Sequence, residues 1–302
     1  MPILNFQLKP DRLLQSLLSQ GGVKIFTLFV ALGIGGWTAR YLGPQQLGNL
    51  SYVAALVGLL GPLGNLGVKG SLSAMLCEEH PLPGLLGSAL LIEFIGTLVV
   101  ALVIIPFAWV ARDPVIIGLF VLAIVGNLIS SSEVFEVELL NRHRGTQLAR
   151  IGIIETVAGA GLSVLALTAQ SPLLVFGGLP VIKNAFRGWL LATSVKATIP
   201  AHLFQQASWT TSLALVRRGF PLLLAGISVA IYMKSDQVML EWLRGPEDVG
   251  QYSVAVRVAE SLYFLPLVLS STFLPRIGRG SGLFKRCQIQ FPLLNNTCFL
   301  TS

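Results

Sequence analysis

Residues 84–110 read GLLGSALLIEFIGTLVVALVIIPFAWV, an unbroken apolar run with one charge, Glu93, inside it. A helix rises about 1.5 Å per residue, so about 20 such residues cross the roughly 30 Å hydrocarbon core of a bilayer. A membrane strand would instead alternate in character over about ten residues, and this run does not alternate. The reading is therefore a helix with lipid around it. Working outward, comparable runs lie at 20–39, 47–68, 115–138, 148–169, 173–195, 219–240 and 249–274, which makes eight expected spans. Pro62, Pro180, Pro221 and Pro266 fall inside them. Neighbouring helices can satisfy the backbone groups those prolines free. The expected fold class is an all-α polytopic membrane protein of about eight transmembrane helices.

Composition points the same way. The 302 residues are 53% apolar and 12% charged, against about a quarter charged in soluble domains. Mean hydropathy is +0.74. The 21 Lys and Arg against 14 Asp and Glu leave a net charge of +7, but the basic residues fall between apolar runs rather than in one patch with interleaved aromatics. That distribution describes topology, not nucleic-acid binding. With the N-terminus in the cytoplasm, thirteen Lys and Arg lie on the inner side, and Arg40, Arg112 and Arg244 lie on the outer side. Both termini are therefore expected inside a multi-pass plasma-membrane protein. Asp11 and Arg12 lead into a polar-interrupted stretch, so no cleaved signal peptide is expected.

Cys77, Cys287 and Cys298 share no metal-binding spacing, and His80, His143 and His202 fall in expected loops. No metal, cofactor or catalytic site is expected. Gly61-Pro62-Leu63-Gly64-Asn65-Leu66-Gly67 superficially suggests a phosphate loop. It lacks the Lys-Ser/Thr ending and sits in an apolar helix, which favours close packing or a helix break.

Five cations lie inside the spans: Lys24, Lys183, Arg187, Lys234 and Arg257. A charge at a helix centre costs about 2.5–3.5 kcal/mol on insertion scales, so it normally faces a partner or a wet cavity. Acids accompany them: Glu93, Glu155, Asp236 and Glu260, with Glu133, Glu136 and Glu138 near the inner end of the fourth span. Lys183 and Arg187 share a face at i, i+4 spacing. Either each finds an acid on another helix, or together they draw in an anion. Arg257 and Glu260 are close enough to pair within one helix, whereas Lys234 and Asp236 point to different faces. Lys24 and Lys234 lie near span ends, where snorkelling is a further reading. The functional reading makes Lys183, Arg187, Lys234, Arg257 and Lys24 a cationic cavity for an anionic substrate, with Glu93, Glu155, Asp236 and Glu260 as coupling or ion-pair acids.

Arg40-Tyr41-Leu42-Gly43-Pro44-Gln45-Gln46-Leu47-Gly48 resembles the Arg-x-Leu-Gly-Pro-x-x-x-Gly turn of bacterial polysaccharide flippases. The runs Ile231–Leu240, Val249–Ala255 and Phe273-Leu274-Pro275-Arg276 are similar to the seventh and eighth helices of that family. The resemblance covers roughly residues 13–280, and it points to the O-antigen or exopolysaccharide exporters of the multidrug/oligosaccharidyl-lipid/polysaccharide superfamily. It implies two six-helix lobes facing across a cavity in the inner membrane. It also implies alternating access and a polyprenyl-pyrophosphate-linked oligosaccharide as substrate. Family members usually have twelve or more spans. The expected organisation here is a six-helix lobe (1–198), a cytoplasmic connection (199–218), the first two helices of a second lobe (219–276) and an atypical tail (277–302). The tail from Cys287 to Ser302 resembles no part of the family, so loss or truncation of the reading frame near Gly280 is the expectation. A second chain or second copy would then complete the transporter. The alternatives are a cation-coupled multidrug exporter of the same superfamily and a truncated, non-transporting fragment.

Overall fold

A computed structural model describes residues 10–76, 82–111, 113–141, 144–195 and 207–263, and every regular element among them is helical. In chain order these are α1 (Pro10–Asn65), α2 (Val68–Leu76), α3 (Leu82–Ala111) and α4 (Pro114–Ser130). A 3₁₀ turn (Ser131–Glu133) then runs into α5 (Val134–Asn141), followed by α6 (Gly145–Thr168), α7 (Leu173–Val195), α8 (Trp209–Arg244) and α9 (Pro246–Ser261). Among the described residues, five stretches are long and apolar enough to cross a membrane: Phe26–Leu76, Gly84–Trp109, Pro114–Leu140, Gly145–Thr168 and Trp209–Arg244.

The first stretch is 51 residues long and holds most of the span expected at 20–39 and all of that expected at 47–68. Gly43 divides them with φ 70 and ψ 172, backbone that only glycine adopts at low cost, and Pro44 follows without an N–H to donate. The fourth expected span is α4 continued through the 3₁₀ turn into α5. Its start is set by Asp113, whose carboxylate accepts from the Val115 N–H at 2.9 Å, with Pro114 in the first turn. Helix α7 occupies the expected 173–195, carries Pro180, Lys183 and Arg187, and is not among the five stretches above. Helix α9 covers the beginning of the expected 249–274 span. Residues 264–274, Pro266 and the tail lie outside the described residues.

Apolar side chains face outward as well as inward. Trp109 is 81% exposed and Leu102 62%, an arrangement costly in water and natural in hydrocarbon. The chain is an all-α polytopic membrane protein. One core packs α1 beyond its break against α3, α4 and α7 through Leu47, Val53, Leu56, Ile104, Phe120 and Phe176. A second joins α2, α3, α5 and α8 through Val68, Leu72, Leu86, Val134 and Leu215.

Glycines set the closest helix approaches. At one end of the bundle, the second half of α1 and α9 start from matching sequences, Gly43-Pro44-Gln45-Gln46-Leu47-Gly48-Asn49-Leu50-Ser51 and Gly245-Pro246-Glu247-Asp248-Val249-Gly250-Gln251-Tyr252-Ser253. Gly245 repeats the Gly43 conformation with φ 92 and ψ −179. The contact is reciprocal: Gly48 lies on the Pro246 carbonyl and Gly250 on the Pro44 carbonyl, so closely that a Cβ at either would overlap the oxygen. Leu47, Val249, Ser51 and Ser253 are buried around it. Two copies of one motif therefore clasp each other about a local two-fold relation.

At the other end of the second half of α1, Leu66 and Gly67 take positive φ and end the helix. Gly67 lies against the Gly219 carbonyl, and Gly96 of α3 against that of Gly64. The glycine run at 61–67 is thus a helix end and a packing surface.

Candidate functional site

Lys183 and Arg187 stand one turn apart on α7, and both reach Glu155 of α6. The Lys183 Nζ is 3.5 Å from Glu155 Oε1, and the Arg187 Nη1 is 3.3 Å from Oε2. Arg187 also donates through Nη2 to Glu136 of α5 at 2.5 Å. The Lys183 stem packs over Gly159 of α6, where a Cβ would meet it at 3.5 Å, an ordinary contact. The Glu155 side chain is 8% exposed and that of Arg187 23%, but Lys183 is 45% exposed. Lys183 faces a cavity of about 320 Å³ between α1, α6 and α7, walled partly by Thr27, Thr38, Thr156, Ser163 and Asn184. The Thr27 and Thr156 hydroxyls are 3.1 Å apart and tie α1 to α6. Asn184 donates to Ser130 Oγ at 2.9 Å and ties α7 to α4.

The network continues toward α2 and α3. Lys69 of α2 donates to Glu133 in the 3₁₀ turn. Glu93, 2% exposed on α3, has neither carboxylate oxygen hydrogen-bonded. Lys69 is one of the thirteen cations that the sequence places on the inner side. It instead sits on a helix because the break at Leu66 and Gly67 redirects the chain into α2.

The remaining candidates form a separate group on α8 and α9. Lys234 pairs with Glu260 at 3.2 Å, its side chain 12% exposed, so it does not snorkel, and Glu260 makes its ion-pair contact with Lys234 rather than with Arg257 as the i, i+3 spacing suggested. The Lys234 stem passes beside Gly58 of α1, where a Cβ would be 3.8 Å from it. Asp236 accepts from the Tyr252 hydroxyl at 2.5 Å and caps the Gln237 N–H at 2.8 Å. Arg257 is exposed and has no carboxylate within 4 Å among the described residues. Its guanidinium lies beside Gly35 of α1, where a Cβ would be 3.6 Å from Nη1. A second cavity, about 330 Å³, opens beside Gly33, Gly36, Trp37 and Arg40 on α1. Lys24 falls in α1, but its side chain lies outside the described residues.

Two acids thus stand against the two cations Lys183 and Arg187, and Lys234 has its own acid. Arg257 alone of the four described in-span candidates carries a charge unmatched at contact distance. Sequence reasoning did not single out Glu136 as the anchor of Arg187. The signal was present in three glutamates crowded at 133–138 near the inner end of the expected fourth span.

No curated protein and no solved structure matches the chain significantly. A protein family described as "Polysaccharide biosynthesis protein" matches residues 13–281. That stretch contains every described helix but the first turn of α1, both glycine clasps and both charge groups, and the chain belongs to this polysaccharide biosynthesis family as a multi-pass membrane protein.

Proposed function

We propose that the chain moves a polyprenyl-pyrophosphate-linked oligosaccharide across the plasma (inner) membrane by alternating access, for assembly of cell-surface polysaccharide. Both termini lie in the cytoplasm in this reading, which the thirteen-to-three distribution of basic residues supports. Transfer across a bilayer makes and breaks no covalent bond, so the role is transport rather than catalysis. The task is electrostatic: a pyrophosphate must pass through a medium that penalises its charge, and fixed cations offset that penalty.

The observation that carries the reading is Arg257, an exposed cation with no carboxylate within 4 Å among the described residues, its guanidinium lying beside Gly35 of α1. A guanidinium offers a planar pair of donors to phosphate oxygens, which suits it to a pyrophosphate group. Lys183, half exposed and lining the cavity between α1, α6 and α7, adds a second cation to the path. The lipid tail needs no site of its own, since bilayer surrounds the helices.

Binding of a short-chain polyprenyl pyrophosphate to the purified chain tests this. Arg257→Gln is expected to weaken it about tenfold or more, with Arg257→Lys in between. Equal affinity in wild type and Arg257→Gln would remove Arg257 from the path. Binding of a lipophilic cation in place of the pyrophosphate would favour a multidrug exporter.

A further inference from the structure

We infer that Glu155 is the resident anion of a phosphate-binding site: its carboxylate occupies the place where a pyrophosphate group of the substrate engages Lys183 and Arg187, and it yields that place when the substrate enters. This deepens the flippase reading and rests on it.

The geometry is that of a bidentate anion between two cations. Each Glu155 oxygen serves a different partner, Oε1 toward Lys183 and Oε2 toward Arg187. A phosphate group presents the same pair of oxygens. The contacts, at 3.5 and 3.3 Å, are long beside the roughly 2.7–2.9 Å of a settled charge-assisted bond. Arg187 is held elsewhere, by Glu136 at 2.5 Å. Glu136 therefore positions the guanidinium, and Glu155 shares what is left of it.

Two further features point to exchange. The Arg187 Nε is buried without a partner, a donor that Glu155 does not use. Lys183 is the more exposed of the two cations, at 45% against 23% for Arg187, and it lines the cavity of about 320 Å³, so an anion entering between α1, α6 and α7 meets this cation first. The charge balance explains why the site needs a resident. With Glu136 and Glu155 both present, Lys183 and Arg187 are neutralised, and an empty bundle carries no unpaired pair of cations into lipid. Once Glu155 withdraws, the same two cations hold a surplus positive charge for the phosphate.

A resident competitor makes an unusual prediction, because removing a polar contact should strengthen binding. Inorganic pyrophosphate titrated calorimetrically into the purified full chain is the probe. Glu155→Gln keeps the shape and removes the charge, and it is expected to tighten pyrophosphate binding about tenfold or more, since the like charge beside the ligand is gone. Adding Lys183→Gln should cancel that gain. Glu155→Asp, which draws the carboxylate back from contacts already long, should tighten binding to a smaller degree and serves if the Gln variant does not fold. A short-chain polyprenyl pyrophosphate should show the same gain; a gain confined to the inorganic ion would overturn the assignment to a lipid-linked substrate. If wild type binds pyrophosphate through Arg257 but neither Glu155 variant tightens it, this inference fails and the flippase reading survives. If neither wild type nor Glu155→Gln binds pyrophosphate at all, both fail together.

Discussion

Gly48→Ala is expected to lower the melting temperature of the purified protein by about 5–10 °C or more, and Gly250→Ala to do the same. The new methyl would overlap the carbonyl oxygen of Pro246 in the first case and of Pro44 in the second. These are backbone atoms whose positions are set by Gly43 and Gly245 in positive φ, so no flexible side chain can move aside. The helices must separate, exposing Leu47 and Val249, which are now buried in the clasp. A loss of roughly 3 kcal/mol stands at the upper end of overpacking effects, because the obstacle is backbone on both sides. Gly61→Ala is the control. A Cβ there meets nothing within 4 Å, and alanine favours the helix, so its melting temperature should hold or rise slightly. Scanning fluorimetry in detergent distinguishes the outcomes. Equal behaviour of the Gly48 and Gly61 variants would show that α1 and α9 do not meet as described.

Arg187→Glu should be the most damaging single charge change. It places a third carboxylate between Glu136 and Glu155, both largely buried and now sharing the Arg187 guanidinium. Breaking a buried pair by removing one partner typically costs about 3–5 kcal/mol, and reversal adds repulsion. The variant should still insert, since one charge does not stop a helix from entering the bilayer. It should, however, melt far below wild type and show no export. Arg187→Gln should fall between the two in stability. A thermally normal Arg187→Glu protein would contradict the ion-pair geometry, whatever its activity.

Much of this architecture was legible because lipid imposes simple rules. The apolar run at 84–110 and its counterparts could only be helices, and α7 begins and ends where the sequence placed it, at Leu173 and Val195. The charged face of α7 was legible too, from the four-residue spacing of Lys183 and Arg187. Their partners were not. Periodicity says which way a side chain leaves its own helix, but not which helix stands opposite. Glu260 illustrates the limit: spacing matched it with Arg257, and packing of α8 on α9 delivered it to Lys234. The clasp at Gly48 and Gly250 was written in the sequence as two copies of Gly-Pro-x-x-Φ-Gly-x-x-Ser, Φ being apolar. Its meaning depends on contact between segments about two hundred residues apart, which no local pattern reveals.

The central claim is that this chain carries a pyrophosphate-linked oligosaccharide across the membrane past Arg257. The most direct measurement expresses it in a bacterium lacking its own polysaccharide flippase and scores surface polysaccharide, beside an Arg257→Glu variant matched for amount in the membrane. The account predicts that the wild-type chain restores the surface polymer and the variant does not. Failure of the wild-type chain while it is present in the membrane, or full restoration by Arg257→Glu, would contradict it.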